Sequence, residues 1–199
     1  MKRFAILLAG FLGEASGDPV LQGVPLVQEG RPAAVLVRIG EGALPQLAAK
    51  ALQDELQVLL GVTLPEVSWG EIGARPAVVL AELDALPPGL AKPGDADKVR
   101  DDGFLMETRP GPQGQPVLLL SGHVPKGTYN AAVYLRDLYF RPASDKEMVL
   151  KPVRLLRNPR VPMRLAHTAE EWNDAIYFPM ERWEWTIDEI SQWGYTHWV

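Results

Sequence analysis

Residues 116–140 read PVLLLSGHVPKGTYNAAVYLRDLYF, and the reading of this stretch decides the fold. Val117 to Leu120 is an unbroken apolar run of the kind that occupies the middle of a sheet, where both faces are covered. Ser121 and Gly122 end it, and a helical pattern opens almost at once. Thr128, Ala131, Ala132, Leu135, Leu138 and Tyr139 recur at three- and four-residue spacing, whereas Asn130, Arg136 and Asp137 take other directions. The stretch is a strand, a loop and a helix that packs one face on a sheet.

The segments upstream supply the neighbours this unit needs. Ala33 to Ile39 alternates, with Val35, Val37 and Ile39 on one face and Leu36 and Arg38 on the other, and Gly40 and Gly42 end it. From Leu44 to Leu60 the polar residues Gln46, Lys50, Gln53, Asp54 and Gln57 recur at helical spacing. They leave Leu47, Ala48, Ala51, Leu52, Leu56 and Leu59 for the opposite side, and Gly61 is placed to supply a left-handed cap. Ala77 to Ala81 is a short apolar strand, followed by a proline- and glycine-rich loop from Leu86 to Asp97. Phe104 to Thr108, where Phe104 and Met106 oppose Leu105 and Glu107, precedes the loop Pro110 to Pro116, so this strand and the next form an antiparallel hairpin. The prediction is an α/β (α+β) domain, a two-layer mixed sheet with both helices on one face.

Downstream the chain changes character. Met148 to Leu156 reads as an extended connector, Val161 to Ala166 as a further strand, and Thr186 to Glu189 as a capping box opening a helix that ends at Gly194. Tyr195 to Val199 reads as the start of another strand. Five of the six tryptophans, Trp172, Trp183, Trp185, Trp193 and Trp198, fall after residue 171, a shift in composition that suggests a domain boundary. A strand, helix and strand make one β/α unit, which cannot bury both its faces without others.

Composition narrows the partners. Twenty Lys and Arg against 25 Asp and Glu give a net charge of -5 in 199 residues, and the cations are dispersed, so nucleic acid is not expected. There are no cysteines, which excludes disulfide and thiolate chemistry. His123, His167 and His197 lack the short-spaced pairing of a zinc site, and neither metal nor cofactor is expected. Lys2 and Arg3 before the apolar run Phe4 to Leu12, with Ala15, Ser16 and Gly17 after it, read as an export signal over residues 1–17. The alternative is an N-terminal strand. Location follows: periplasmic or secreted with a signal, cytoplasmic with a strand. No other run approaches the ~20 apolar residues of a membrane span, so no membrane partner is expected.

Read together, LLGVTLPE (59–66), DGFLME (102–107), PVLLLSGHVPKGTYNAAVYLRDL (116–138) and NPRVPMRLAHT (158–168) resemble the N-terminal domain of β-N-acetylhexosaminidases and α-glucuronidases. In those glycoside hydrolases a small mixed sheet with helices on one face precedes a (β/α)8 barrel. The resemblance implies an N-terminal domain over residues 18–152 and the start of a truncated barrel over 153–199. The family's first barrel strand carries Pro-Arg-aromatic, two residues, then Arg-Gly, and its second arginine binds sugar hydroxyls. Pro159, Arg160 and Arg164 match, which nominates Arg164 as substrate-binding, while Val161 and Leu165 depart from the pattern. A planar fork of donors suits paired oxygens; a structural ion pair is the other role open to this arginine.

The resemblance places the catalytic acids in later barrel strands, so no catalytic residue is expected here and the carbohydrate substrate would be met by the full-length enzyme. Glu170 and Glu171 read better as loop solvation, and Asp188 and Glu189 as helix capping. His167, Trp172, Asn173 and Asp174 fall where the loop after the first barrel strand would be, with core packing the commoner role of such tryptophans. Ser121 to Thr128 offers glycines, Lys126 and Thr128 at a helix start, as a phosphate cradle would, but Lys126 precedes Gly127 and the P-loop spacing is not met. The expected function is the non-catalytic N-terminal domain of a carbohydrate-active hydrolase; the alternative is a free-standing carbohydrate-binding or protein-interaction module. Beyond Asn158, with Trp183, Trp185, Ile187 and Ile190 short of packing partners, the segment should pack back on the first domain, self-associate with another copy, or lack order.

Overall fold

The computed structural model describes residues 22–160, 165–166, 187, 190–192 and 197–198. The expected export signal, the capping box at Thr186 and most of the tryptophan-rich region therefore lie outside the described residues.

The central sheet has five strands. In chain order, β3 (Val35–Arg38), β4 (Ala77–Glu82), β5 (Phe104–Pro110), β6 (Pro116–Gly122) and β8 (Arg154–Arg157) are arranged β3-β4-β6-β5-β8. β3, β4 and β6 run parallel, while β5 is antiparallel to both β6 and β8. The apolar run of residues 117–120 thus sits mid-sheet, its neighbours Val78 to Leu80 in register with Leu118 to Leu120. The predicted hairpin is present, with Phe104 opposite Gly122 and Pro110 opposite Pro116.

Two helices lie together on one face, as the polar stripes predict: α1 (Ala43–Leu60) and α2 (Pro125–Tyr139). Leu36, Val78, Leu80, Met106, Leu118 and Leu120 from the sheet share one core with Ala48, Leu52 and Leu56 of α1 and Ala131, Ala132 and Leu135 of α2. Each fully buried leucine in that set contributes about 1.5–3 kcal/mol relative to exposure. Alternation sends Val35, Val37, Val79, Val117 and Leu119 to the other face, where Ile72 and Leu90 cover them from irregular segments. Gly61 takes the left-handed conformation, φ 66°, and its amide closes α1 on Gln57 and Leu56.

Three expectations need correction. Leu138 is 52 % exposed and Leu59 38 % exposed, because each falls in the last turns of its helix, beyond the reach of the sheet. Gln53, assigned to the wet side of α1, is partly buried and exchanges two hydrogen bonds with the Leu64 backbone, at 2.7 and 2.8 Å. The connector at residues 148–156 is two strands: β7 (Met148–Leu150) pairs with β1 (Val24–Gln28), and β8 joins the central sheet beside β5. With β2 (Arg31–Pro32) on its other edge, β1 forms a separate three-stranded sheet that ties residue 24 to residue 150. The pairing slips between Pro25 and Val27, where a proline in a strand is commonly accommodated by a bulge.

Beyond β8, two short strands, β9 (Leu165–Ala166) and β10 (His197–Trp198), pair in parallel, and residues 187 and 190–192 between them are helical. That is the connectivity of a β/α unit, since parallel strands require a crossover.

Candidate functional site

The loop between β6 and α2 shows what its glycines are for. A Cβ on Gly122 would lie 2.7 Å from Gly127 Cα, and one on Gly127 would run into the carbonyl oxygen of Gly103. Three backbone segments, the start of β5, the end of β6 and the first turn of α2, therefore cross at a point that only glycine allows. The polar groups of the loop are committed internally. Ser121 Oγ donates to the Ala81 carbonyl at 2.7 Å, Thr128 Oγ1 donates to the same oxygen at 3.2 Å, and the Gly122 amide donates to Thr128 Oγ1 at 3.1 Å. Lys126 lies over the Tyr129 ring, 4.6 Å from its centroid, and donates to the Ser191 carbonyl at 2.9 Å. The cradle suggested by the glycines is a packing device.

A cleft of about 630 Å³ opens beside α2, between the start of β5, the end of β8 and Gln192. Its floor and walls include Phe104 and Tyr134, whose rings are 5.4 Å apart, and Arg157, whose guanidinium stacks on Tyr134 at 5.4 Å and donates to a phenol oxygen at 2.9 Å. That oxygen is Tyr134's own, so cation and ring are locked together. Asn130 donates to both the carbonyl and the carboxylate of buried Asp102, at 3.0 and 3.1 Å. Asn158 accepts from the Arg100 amide at 2.9 Å and donates to the Lys98 carbonyl at 2.8 Å, which pins the chain as it leaves the sheet. Arg160 stands exposed at the rim. The amides of the cleft and Arg157 are already engaged with the protein's own groups.

Three surface carboxylates, Glu71, Asp84 and Asp95, are held towards their ionised forms. Hydrogen bonds from the Ser68 hydroxyl and amide, at 2.8 and 3.0 Å, hold Glu71 below the ordinary carboxylate range. Lys92 does the same for Asp84, and Lys98 with Arg154 for Asp95, which in turn holds the Lys98 ammonium above its usual range. A glycosidase proton donor needs the opposite displacement. Among the described residues no His, Asp or Glu group gathers as a metal site. His123 stands 3.7 Å from Asp84 at the surface, in ion-pair reach only when protonated.

Arg164, His167, Glu170, Glu171, Trp172, Asn173, Asp174, Asp188 and Glu189 lie outside the described residues, so the structure assigns none of them a position. Of the segment beyond Asn158, the described residues Ser191 and Gln192 hydrogen-bond Lys126 and Arg136 of α2. The sequence pattern missed Tyr129 and Val133, which are buried on α2 at 4 % and 5 % exposure. Their signal was present, since α2 carries apolar residues on more than one side.

The fold places the chain in a class. It has the mixed α/β architecture of partial-length domains of glycoside hydrolases. No family model matches the chain, and no curated protein matches it. Among solved structures, a mutant β-hexosaminidase from Streptomyces plicatus in complex with GlcNAc superposes with a TM-score of 0.55 at 18 % identity, covering 91 % of this chain and 32 % of that one. The GH20 β-N-acetylhexosaminidase of Streptomyces coelicolor A3(2) gives 0.55 at 16 %, covering 88 % and 31 %. A GH115 4-O-methyl-α-glucuronidase with specificity for decorated arabinogalactans gives 0.55 at 12 %, covering 86 % and 25 %. This chain spans about a third or less of the length of these relatives, and identities this low establish the fold alone.

Proposed function

We propose that this chain is the non-catalytic N-terminal part of a carbohydrate-active glycoside hydrolase. The sheet domain runs through β8 to Arg157, and residues after Pro159 begin a (β/α)8 barrel. The observation that carries the reading is the order of parts: a mixed α/β fold like that of partial-length glycoside hydrolase domains is followed along the chain by the parallel strand pair β9 and β10. The neighbours' activities suggest a terminal N-acetyl-β-glucosaminide or an α-glucuronide as substrate, and the charged and then apolar stretch from Lys2 to Gly17 supports export.

In this proposal Arg164 hydrogen-bonds sugar hydroxyls at the mouth of the barrel, where arginine's fork of donors is useful and strand ends meet the site. The test uses the protein encoded by the reading frame continued beyond Val199. Arg164→Ala should depress kcat/KM for the cognate aryl glycoside by tenfold or more while leaving the melting temperature of the sheet domain in place. Normal kinetics with lost thermal stability would make Arg164 an ion-pair residue and remove it from the site.

A further inference from the structure

Val133 lies two residues from both Ala131 and Leu135, hence roughly 200° around the helix from each. Ala131 and Leu135 face the sheet-side core and are fully buried. Helical geometry therefore turns Val133 off the sheet-facing line, yet it is only 5 % exposed and belongs to the same buried cluster as Ala131 and Leu135. α2 is therefore covered at Val133 as well as against the sheet, while Asp137 and Leu138 stay exposed. The outer side of α2 also carries two cations that reach the same place. Lys126 donates to the Ser191 carbonyl at 2.9 Å, and Arg136 Nη1 donates to Gln192 Oε1 at 2.9 Å. Lys126 and Arg136 stand about 15 Å apart along the axis of α2, whereas Ser191 and Gln192 are consecutive, about 3.8 Å apart. Two long side chains thus converge from the two ends of α2 on a point above its middle. Gln192 accordingly shares the cleft with Asn130 and Val133.

We propose that the outer side of α2 is the seat of the following β/α unit, with Val133 as its apolar floor and Lys126 and Arg136 as two latches on the helical residues 190–192. Lys126 thereby places a positive charge on a backbone carbonyl of the helical residues 190–192 from the neighbouring sheet domain. This explains why a lysine stands at the start of α2 without a phosphate loop around it. The latches fix the angle at which the unit leaves the sheet domain, and they do so whatever reaction the longer protein performs.

The test is backbone hydrogen exchange in the full 199-residue chain. Arg136→Ala should raise exchange across residues 187–192 by about threefold to tenfold, the range one net hydrogen bond supplies, with the amides of β4 and β6 unchanged. Gln192→Ala, which cannot disturb the sheet, should do the same from the other side, and the double variant should add little to either. Lys126→Ala should act similarly, while inorganic phosphate at millimolar concentration should leave exchange at the start of α2 unaltered. Independent, multiplying effects of Arg136→Ala and Gln192→Ala, unchanged exchange at 187–192, or protection by phosphate would overturn the proposal.

Discussion

Gly127→Ala separates a packing role for the glycines of the β6–α2 loop from an open, ligand-ready one. In an unconstrained helix interior, replacing glycine by alanine stabilises by about 1 kcal/mol, because the backbone loses less entropy on folding. Gly127 has no left-handed conformation to explain it, so conformation alone predicts a gain. Its Cβ, however, would meet the Gly103 carbonyl oxygen and come within 3.1 Å of Gly122 Cα. Both obstacles are backbone, one just before β5 and one at the end of β6, and cannot rotate away. Overpacking of this kind costs about 1–3 kcal/mol, so the net expectation is destabilisation where propensity alone predicts the reverse. The assay is urea unfolding followed by tryptophan fluorescence and far-UV circular dichroism, read as a change in midpoint at constant slope. Gly70→Ala is the control, since nothing lies within 4 Å of a Cβ there, and it should leave the midpoint in place. A Gly127→Ala midpoint equal to or above that of the parent would refute the three-way backbone crossing.

Gln53→Ala should cost roughly 1–3 kcal/mol, because it strands both the amide and the carbonyl of nearly buried Leu64; Gln53→Glu, which keeps only the acceptor, should cost less in the same unfolding experiment. Asp95, held below its ordinary value of 3.8 by Lys98 and Arg154, contributes stability that is present above that value and is lost as pH falls through its folded value. Carboxyl NMR titration should find it low in the parent and moved back towards 3.8 in Arg154→Ala and Lys98→Ala; no movement in either variant would discard the pairing.

Where residues pack by local periodicity, the sequence was sufficient. Val35 against Leu36 and Phe104 against Leu105 divide between faces as alternation requires, and Ala48, Leu52 and Leu56 of α1 reach the core as helical spacing requires. The losses have a common cause in partners distant along the chain. β1 is five residues long and contains Pro25, so it has no strong pattern of its own, and it exists because Met148 to Leu150 pair with it. Gln53 looks like any wet helical glutamine until the Leu64 backbone is folded against it. Val133 reads as an off-stripe residue unless a second layer is known to cover α2. The candidate sugar-binding position, Arg164, was suggested by a partial motif after Asn158, and the cleft beside α2 was not legible at all, since it assembles from residues near 102, 130, 157 and 192.

The most direct measurement is steady-state hydrolysis of aryl N-acetyl-β-glucosaminide and aryl 4-O-methyl-α-glucuronide by two proteins, this 199-residue chain and the product of the reading frame continued beyond Val199. The account predicts that the chain alone is silent on both, while the longer protein turns over one of them and loses turnover on Arg164→Ala. Hydrolysis by the chain alone, or a frame that stops at Val199 in a protein that binds glycans without cleaving them, would contradict it.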